Sequence, residues 1–147
     1  MTAVDPTSTA ARRERERVVS RLDAAAIDEI VASARFTADG LIPAVVTQWD
    51  TREVLMLAWL NADSMRETLR TRRVVYWSRS RQELWRKGDT SGHTQWLVTF
   101  ALDCDADTVH LEVEQHGPAC HTGTRTCWDG DRLAVRFADP ADRAGAA

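Results

Sequence analysis

Ile42-Pro43-Ala44-Val45-Val46-Thr47-Gln48-Trp49 is followed by Asp50-Thr51-Arg52-Glu53 and then by Val54-Leu55-Met56-Leu57-Ala58-Trp59-Leu60. The two outer runs are apolar and rich in β-branched and aromatic side chains, which suit a pleated, half-buried surface; the polar tetrad between them has nothing to bury. The stretch therefore reads as a strand, a turn and the strand's hairpin partner. Upstream, Asp39-Gly40 signals a turn, and Asp23 can cap a short helix with Ala26, Ile27, Ile30 and Val31 on one stripe. Residues 1–22 are charged and lack apolar periodicity, so they are expected to form a flexible N-terminal arm.

Downstream, Asn61 is a good N-cap, and Ala62, Met65 and Leu69 fall on one face of a helix that ends in Arg70, Arg72 and Arg73. Val74 to Arg79 reads as a strand, and residues 80–94 as a polar loop with short structure. Gln95 to Leu102 is apolar on both faces, which predicts a buried strand. Thr108 to Gln115 alternates, with Val109, Leu111 and Val113 inward and His110, Glu112 and Glu114 outward. Gly117-Pro118 ends it, residues 117–131 form a Gly-rich loop, and Leu133 to Phe137 is expected as a last strand before a flexible tail over 138–147. Short strands and two helices without regular alternation predict an α+β fold, with a mainly antiparallel, barrel-like sheet in one domain over 23–137.

The 147 residues and 16.5 kDa suit one domain with a real core. A net charge of -3 gives no global basic field, so nucleic acid is not an expected partner; an anionic small molecule would need a local basic pocket. The N-terminus lacks the apolar core of a secretory signal. The longest apolar run, Val54–Leu60, is far short of the roughly 18 residues of a membrane helix, so a cytoplasmic location is the default and no membrane partner is expected.

Three cysteines, an odd number, do not fit a secreted disulfide framework. Cys104, Cys120 and Cys127 follow the spacing C-x15-C-x6-C, and three thiolates can hold Zn²⁺ while leaving a fourth position for water. Inert core thiols are the alternative, but two of the three lie in a polar, Gly-rich loop. Asp103, Asp105 and Asp107 alternate, which would place their carboxylates on one side of an extended segment, fit for a hard cation such as Mg²⁺, with Cys104 facing the other way. An EF-hand also opens with this acidic pattern, but Thr108 stands where its glycine is needed and a strand pattern follows. Trp77, Arg79 and Arg81, then Trp85, Lys87, Thr90 and Ser91, combine flat rings for a base with cations and hydroxyls for phosphate oxygens. Lys87 is the one lysine of the chain. His121 follows Cys120 directly and is the candidate proton carrier; His93 lies in the substrate loop, whereas His110 and His116 carry no expectation.

Five stretches together carry a resemblance: Val54-Leu55-Met56-Leu57-Ala58-Trp59-Leu60-Asn61, Tyr76-Trp77-Ser78-Arg79-Ser80-Arg81, Leu84-Trp85-Arg86-Lys87-Gly88-Asp89-Thr90-Ser91-Gly92, Asp103-Cys104-Asp105-Ala106-Asp107 and Gly117-Pro118-Ala119-Cys120-His121-Thr122-Gly123. In this order, from about residue 35 to 130, the chain resembles the phosphoribosyl-AMP cyclohydrolases. The resemblance implies zinc on Cys104, Cys120 and Cys127, Mg²⁺ on Asp103, Asp105 and Asp107, and acid–base work at His121. It also implies an intertwined homodimer in which each zinc takes Cys104 from one subunit and Cys120 and Cys127 from the other. The activity implied is hydrolysis of the N1–C6 bond of the adenine ring of phosphoribosyl-AMP in histidine biosynthesis. The chain is too short for the pyrophosphohydrolase domain fused to some relatives, so that step is expected from a separate polypeptide. The rival from another class, a structural zinc module on nucleic acid, needs a fourth ligand and a basic surface that this sequence does not offer.

Overall fold

The computed structural model describes residues 18–130 and 133–137. Its elements are α1 (Ala24–Ser33), β1 (Ile42–Gln48), β2 (Val54–Leu60), α2 (Ala62–Thr71), β3 (Val75–Ser78), β4 (Glu83–Arg86), β5 (Gln95–Leu102) and β6 (Val109–Gln115). Local chemistry sets the helix starts. Asp23 Oδ1 accepts from the Ala26 N–H at 2.8 Å. Asn61 and Ser64 form a reciprocal capping box, with Ser64 N–H donating to Asn61 Oδ1 at 2.8 Å and Asn61 N–H to Ser64 Oγ at 2.9 Å. Ile27 and Val31 of α1, and Met65 and Leu69 of α2, are buried on the faces their spacing predicts. Arg72 ends α2 in a left-handed conformation (φ 61°), and Thr68 Oγ1 accepts from the Val75 N–H at 2.9 Å, tying the helix to β3.

The main sheet has the order β2-β1-β6-β5. The β1–β2 and β5–β6 pairs are antiparallel, as is β3–β4 in its own two-stranded sheet, but β1 and β6 run parallel. The fold is α+β, as expected, with a mixed sheet that does not close into a barrel. Closure of even a small barrel typically takes about eight strands, and a sheet of four leaves β2 and β5 as edges. The segment leading into β3 runs beside β5: Val74 N–H donates to the Gln95 carbonyl, and Leu97 N–H to that of Arg72. Ile42, Ala44, Val46, Leu55, Leu60, Met65, Val74, Tyr76, Val109, Leu111 and Val113 form the dry core between sheet and helices. Burial of each large aliphatic among them contributes about 1.5–3 kcal/mol.

Three expectations are corrected and one is given its form. β5 is buried on one face only: Gln95 and Leu97 point inward, but Trp96 and Val98 are 40% and 46% exposed, because among the described residues no helix or strand covers the outer face of that strand. Glu112 follows the outward parity of β6 yet is buried, with the Arg52 guanidinium at 3.5 Å from the β1–β2 turn reaching over it. The short structure expected within the loop over 80–94 is β4, whose Trp85 pairs in register with Tyr76. Residues 133–137 form no strand, and Leu133, Val135 and Phe137 lie exposed: alternation gives propensity, but a strand needs a neighbour. Residues 1–17 of the expected arm, and the expected tail over 138–147, lie outside the described residues.

A buried polar chain crosses the core. The Tyr76 hydroxyl donates to Gln95 Oε1 at 2.5 Å, Gln95 Nε2 donates to Gln115 Oε1 at 2.7 Å, and Gln115 N–H donates to Gln48 Oε1 at 3.1 Å. Gln115 Nε2 also faces the carbonyls of His93, His116 and Pro118. Desolvation holds the Tyr76 phenol far above its ordinary pKa, so it stays a donor at every working pH. Substituting Gln95→Leu leaves the Tyr76 hydroxyl and the Gln115 carbonyl oxygen without this partner and should destabilise the fold by about 2–4 kcal/mol. Urea unfolding checks this, and a variant as stable as the parent would contradict it.

Candidate functional site

Chemistry-bearing residues gather at both ends of the main sheet. At one end, β5 turns into β6 through residues 103–107. Asp103 N–H donates to the Thr108 carbonyl at 3.0 Å, while Asp103 Oδ1 accepts from the N–H groups of Asp107 and Thr108, each at 3.1 Å. Ala106 takes a left-handed φ of 63°, and its carbonyl accepts from Arg35 N–H at 2.7 Å. The aspartates therefore converge because the chain turns, not because it is extended. One carboxylate oxygen from each of Asp103, Asp105 and Asp107 lies within 4.8 Å of the others. Burial works to raise the Asp103 pKa, but the N–H groups of Thr108 and Asp107 outweigh it and the net shift is downward. Asp105 is raised, first by its hydrogen bond with Asp107, then by burial and by the neighbouring carboxylates. Such a cluster favours a proton or a cation in its midst, and its all-oxygen donor set fits a hard divalent ion. Cys104 lies exposed in the same turn.

The same end holds a cleft of about 550 Å³. Asp39 and Leu41 line it just before β1, and Asn61 and Asp63 just after β2. Trp77, Arg79 and Gln82 close it from the β3–β4 hairpin. The Arg79 guanidinium stacks on the Trp59 ring, 4.8 Å from its centroid. Among the residues predicted for substrate, Trp77 and Arg79 thus share one cavity. From sequence Asn61 reads only as a cap and Asp39 only as part of a turn, and nothing marks Asp63 or Gln82; the fold brings all four together from separate elements.

The opposite end carries the loop after β6. Ala119 N–H donates to the Arg125 carbonyl, Cys120 N–H to that of Thr124, and Cys127 N–H to that of Leu55, which fixes the loop on β2. Arg125 adds an ion pair to Glu53 at 2.7 Å. The two sulphurs are neighbours. The Cys120 thiol is lowered to about 7, chiefly by its 3.0 Å contact with the Thr122 hydroxyl, and also by hydrogen bonds from Thr124 and Cys127. Partial burial, then the Cys120 charge, push Cys127 up to about 11. One thiolate beside one thiol is a pair ready for a soft metal, which displaces the remaining proton. The His121 ring lies with Nδ1 4.0 Å from Cys120 Sγ, and its side chain is exposed.

Trp85 and Lys87 belong to this second end. Lys87 is buried, its ammonium donating to the Ala119 carbonyl at 2.8 Å and sitting 5.4 Å from the Trp85 ring centroid. The Arg81 guanidinium lies 6.0 Å from that same ring and pairs with Glu83. Thr90 and Ser91 are exposed in the loop after Gly88, and Ser91 Oγ accepts from His93 N–H. Gly88 has φ 87°, and a Cβ there would meet Thr94 N at 2.5 Å; only glycine lets these two passes of chain approach so closely.

The three cysteines do not meet within one chain. Among the described residues, the aspartates form the one group of three candidate ligands with such close atoms. Cys104 precedes β6, whereas Cys120 and Cys127 follow it, and the seven residues of that strand span roughly 20 Å at about 3.3 Å each. In the metal-free protein, alkylation of Cys120 should rise with pH about a midpoint near 7 and outpace that of Cys127 at least about tenfold at pH 7.5. Peptide mass spectrometry reads both sites; equal rates would contradict the shared-proton arrangement.

Residues 56–129 match the family described as phosphoribosyl-AMP cyclohydrolase. Similar proteins of that name include one from Clavibacter michiganensis subsp. michiganensis, 59% identical over 78% of this chain and 88% of its own. One from Thermobifida fusca is 59% identical over 71% of this chain and 90% of its own. One from Streptomyces coelicolor is 59% identical over 71% and 82%.

Proposed function

From the premise that this chain belongs to the phosphoribosyl-AMP cyclohydrolase family and is a hydrolase, we propose that it carries out zinc-dependent hydrolysis of the N1–C6 bond of the adenine ring of 1-(5-phosphoribosyl)-AMP, giving the phosphoribosyl-formimino-AICAR-phosphate intermediate of L-histidine biosynthesis. The observation that carries this reading is the neighbouring thiol pair Cys120–Cys127 beside His121, at the end of the sheet opposite Cys104. The donor chemistry suits both expected metals: soft thiolates for zinc, and the Asp103, Asp105 and Asp107 carboxylates for Mg²⁺. Cys104 completes the zinc ligands from a second copy of the chain, in a homodimer. That pairing also brings the cleft of Trp77 and Arg79, which lies at the Cys104 end, to the thiol pair of the partner. The exposed apolar Trp96 and Val98 on β5, and Val54 and Leu57 on β2, offer surface for such an association.

The N1-ribosyl substituent makes the adenine ring electron-poor, so C6 is the electrophilic carbon. A water adds at C6 and gives one proton to His121; the imidazolium returns that proton to N1 as the N1–C6 bond breaks, and the proton left on the C6 hydroxyl is released to solvent as the carboxamide carbonyl forms. Zinc, when bound, supplies Lewis acidity that brings the ionisation of water towards neutral pH. Thiolate ligands temper that acidity, which makes the adjacent base necessary. Trp77 stacks on a ring or ribose face in the cleft, while Arg79, with Arg81, meets phosphate oxygens. Thr90 and Ser91 offer hydroxyls to the same phosphates. Mg²⁺ on the acidic turn balances substrate charge or orders the turn. Among the described residues no helix is long and apolar enough to cross a membrane, and the reading includes a cytoplasmic enzyme.

Phosphoribosyl-AMP should gain one water with both phosphoribosyl groups kept, and chelation should stop this until zinc is restored; mass and absorbance follow both. His121→Ala should slow turnover by about 10²–10⁴ with zinc still bound, and unchanged rates would remove its role. Cys104→Ser and Cys127→Ser chains should each be inactive. Mixed and re-associated, they should recover about a quarter of the activity, since half the dimers are mixed and each keeps one intact site. No recovery would favour a site built within one chain.

A further inference from the structure

Lys87 is 5% exposed, and a buried ammonium is costly unless something compensates its charge. Its described contacts are both neutral: the Ala119 carbonyl at 2.8 Å and the Trp85 ring. A carbonyl and a ring face offset part of the cost but do not balance a full charge. The nearest anionic chemistry is the thiol pair. The loop that Lys87 grips at Ala119 continues directly into Cys120; burial lowers the Lys87 pKa, and charge on Cys127 and on Cys120 works against that lowering.

We propose that Lys87 is a positioning residue of the thiolate site, holding the Ala119 carbonyl to fix the Cys120 end of the loop and setting a buried positive charge beneath the metal-binding sulphurs. This rests on the zinc reading above. Three thiolates and one Zn²⁺ carry a net charge of -1, and one fixed cation held under the loop brings the assembly to neutrality. Residue type agrees. Every other basic side chain, histidine aside, is arginine, yet this site keeps lysine. A compact ammonium is satisfied by one carbonyl and a ring face, whereas a guanidinium brings five N–H donors in a rigid fork that this pocket leaves unpaired. Held in place by the β4 register and by Lys87 N–H on the Val74 carbonyl, the side chain has little freedom to serve an external phosphate. Its expected role in substrate binding thereby gives way to one under the metal.

Lys87→Gln separates charge from hydrogen bonding, since it keeps a donor for Ala119 but loses the positive charge. Zinc affinity of the full chain is measured by competition with a chromophoric chelator, and the fold by circular dichroism and melting without metal. We expect Lys87→Gln to fold, to melt without metal within a few degrees of the parent, and to bind zinc about 10–100-fold more weakly, as supporting residues of metal sites typically do. Arg86→Gln, which removes an exposed neighbouring cation paired with Asp89, should stay within about twofold of the parent. Equal zinc affinity in Lys87→Gln and parent would overturn the proposal alone. A metal-free Lys87→Gln that no longer folds would show a structural role instead and also overturn it. A parent that binds no zinc would remove the metal reading and this proposal with it.

Discussion

Buried amides must find partners, and in this fold one chain of them joins the two sheets. Gln48 of β1, Gln115 of β6, Gln95 of β5 and Tyr76 of β3 are hydrogen-bonded in series within the core. The net gain from each bond is modest, about 1 kcal/mol, but the cost of leaving one unmade is larger, and that asymmetry specifies a unique arrangement. The small β3–β4 sheet is pinned to the large one through Tyr76, and the loop of Cys120 and Cys127 is held through the carbonyls that Gln115 faces at His116 and Pro118. Site geometry and core packing are thus one hydrogen-bond problem.

The mixed sheet distributes the chemistry. Because β1 and β6 run parallel while β2 and β5 run against them, the turns at one end carry the acidic group, Cys104 and the cleft, and those at the other carry the thiol pair, His121 and Lys87. Each half is well formed and each lacks something the other holds. The thiol pair has two soft donors with an imidazole beside them; the cleft has rings, a guanidinium and carboxylates, and the third thiol lies at its end of the sheet. Under the proposed shared zinc, a two-fold pairing of chains is the arrangement in which the two ends complete each other.

What the sequence made legible was local. The β1–β2 hairpin, both helix caps and the inward parity of Val109, Leu111 and Val113 depend on neighbours a few residues away, and they stand in the structure as read. What stayed hidden depended on partners far along the chain. Parallel pairing of β1 with β6 has no signature in either strand. Glu112 reads as solvent-facing until Arg52 is known to lie above it. β4 is so short that it reads only as short structure in a loop until β3 is known to lie beside it. The aspartates were rightly grouped but for the wrong geometric reason, since a left-handed Ala106 bends the segment that alternation would have kept straight. For the cleft, Asn61 already had a sufficient local purpose as a cap, which concealed its second position. The cysteine spacing suggested one metal site, but no spacing tells whether ligands meet in one chain or between two.

The parallel pair also orders events in time. Thr47 and His110, joined at 2.8 Å across β1 and β6, are 63 residues apart in sequence. The β1–β2, β3–β4 and β5–β6 pairs close over short turns and can form early and independently, whereas the centre of the sheet must wait for β6 to be made and for a long loop to close. During synthesis the first hairpin therefore has one open edge along β1 while the residues between Leu60 and Val109, about a third of the chain, are made. Pro43 near the start of that strand removes one backbone donor from the waiting edge, and such a gap discourages the wrong strand from pairing there before the right one arrives.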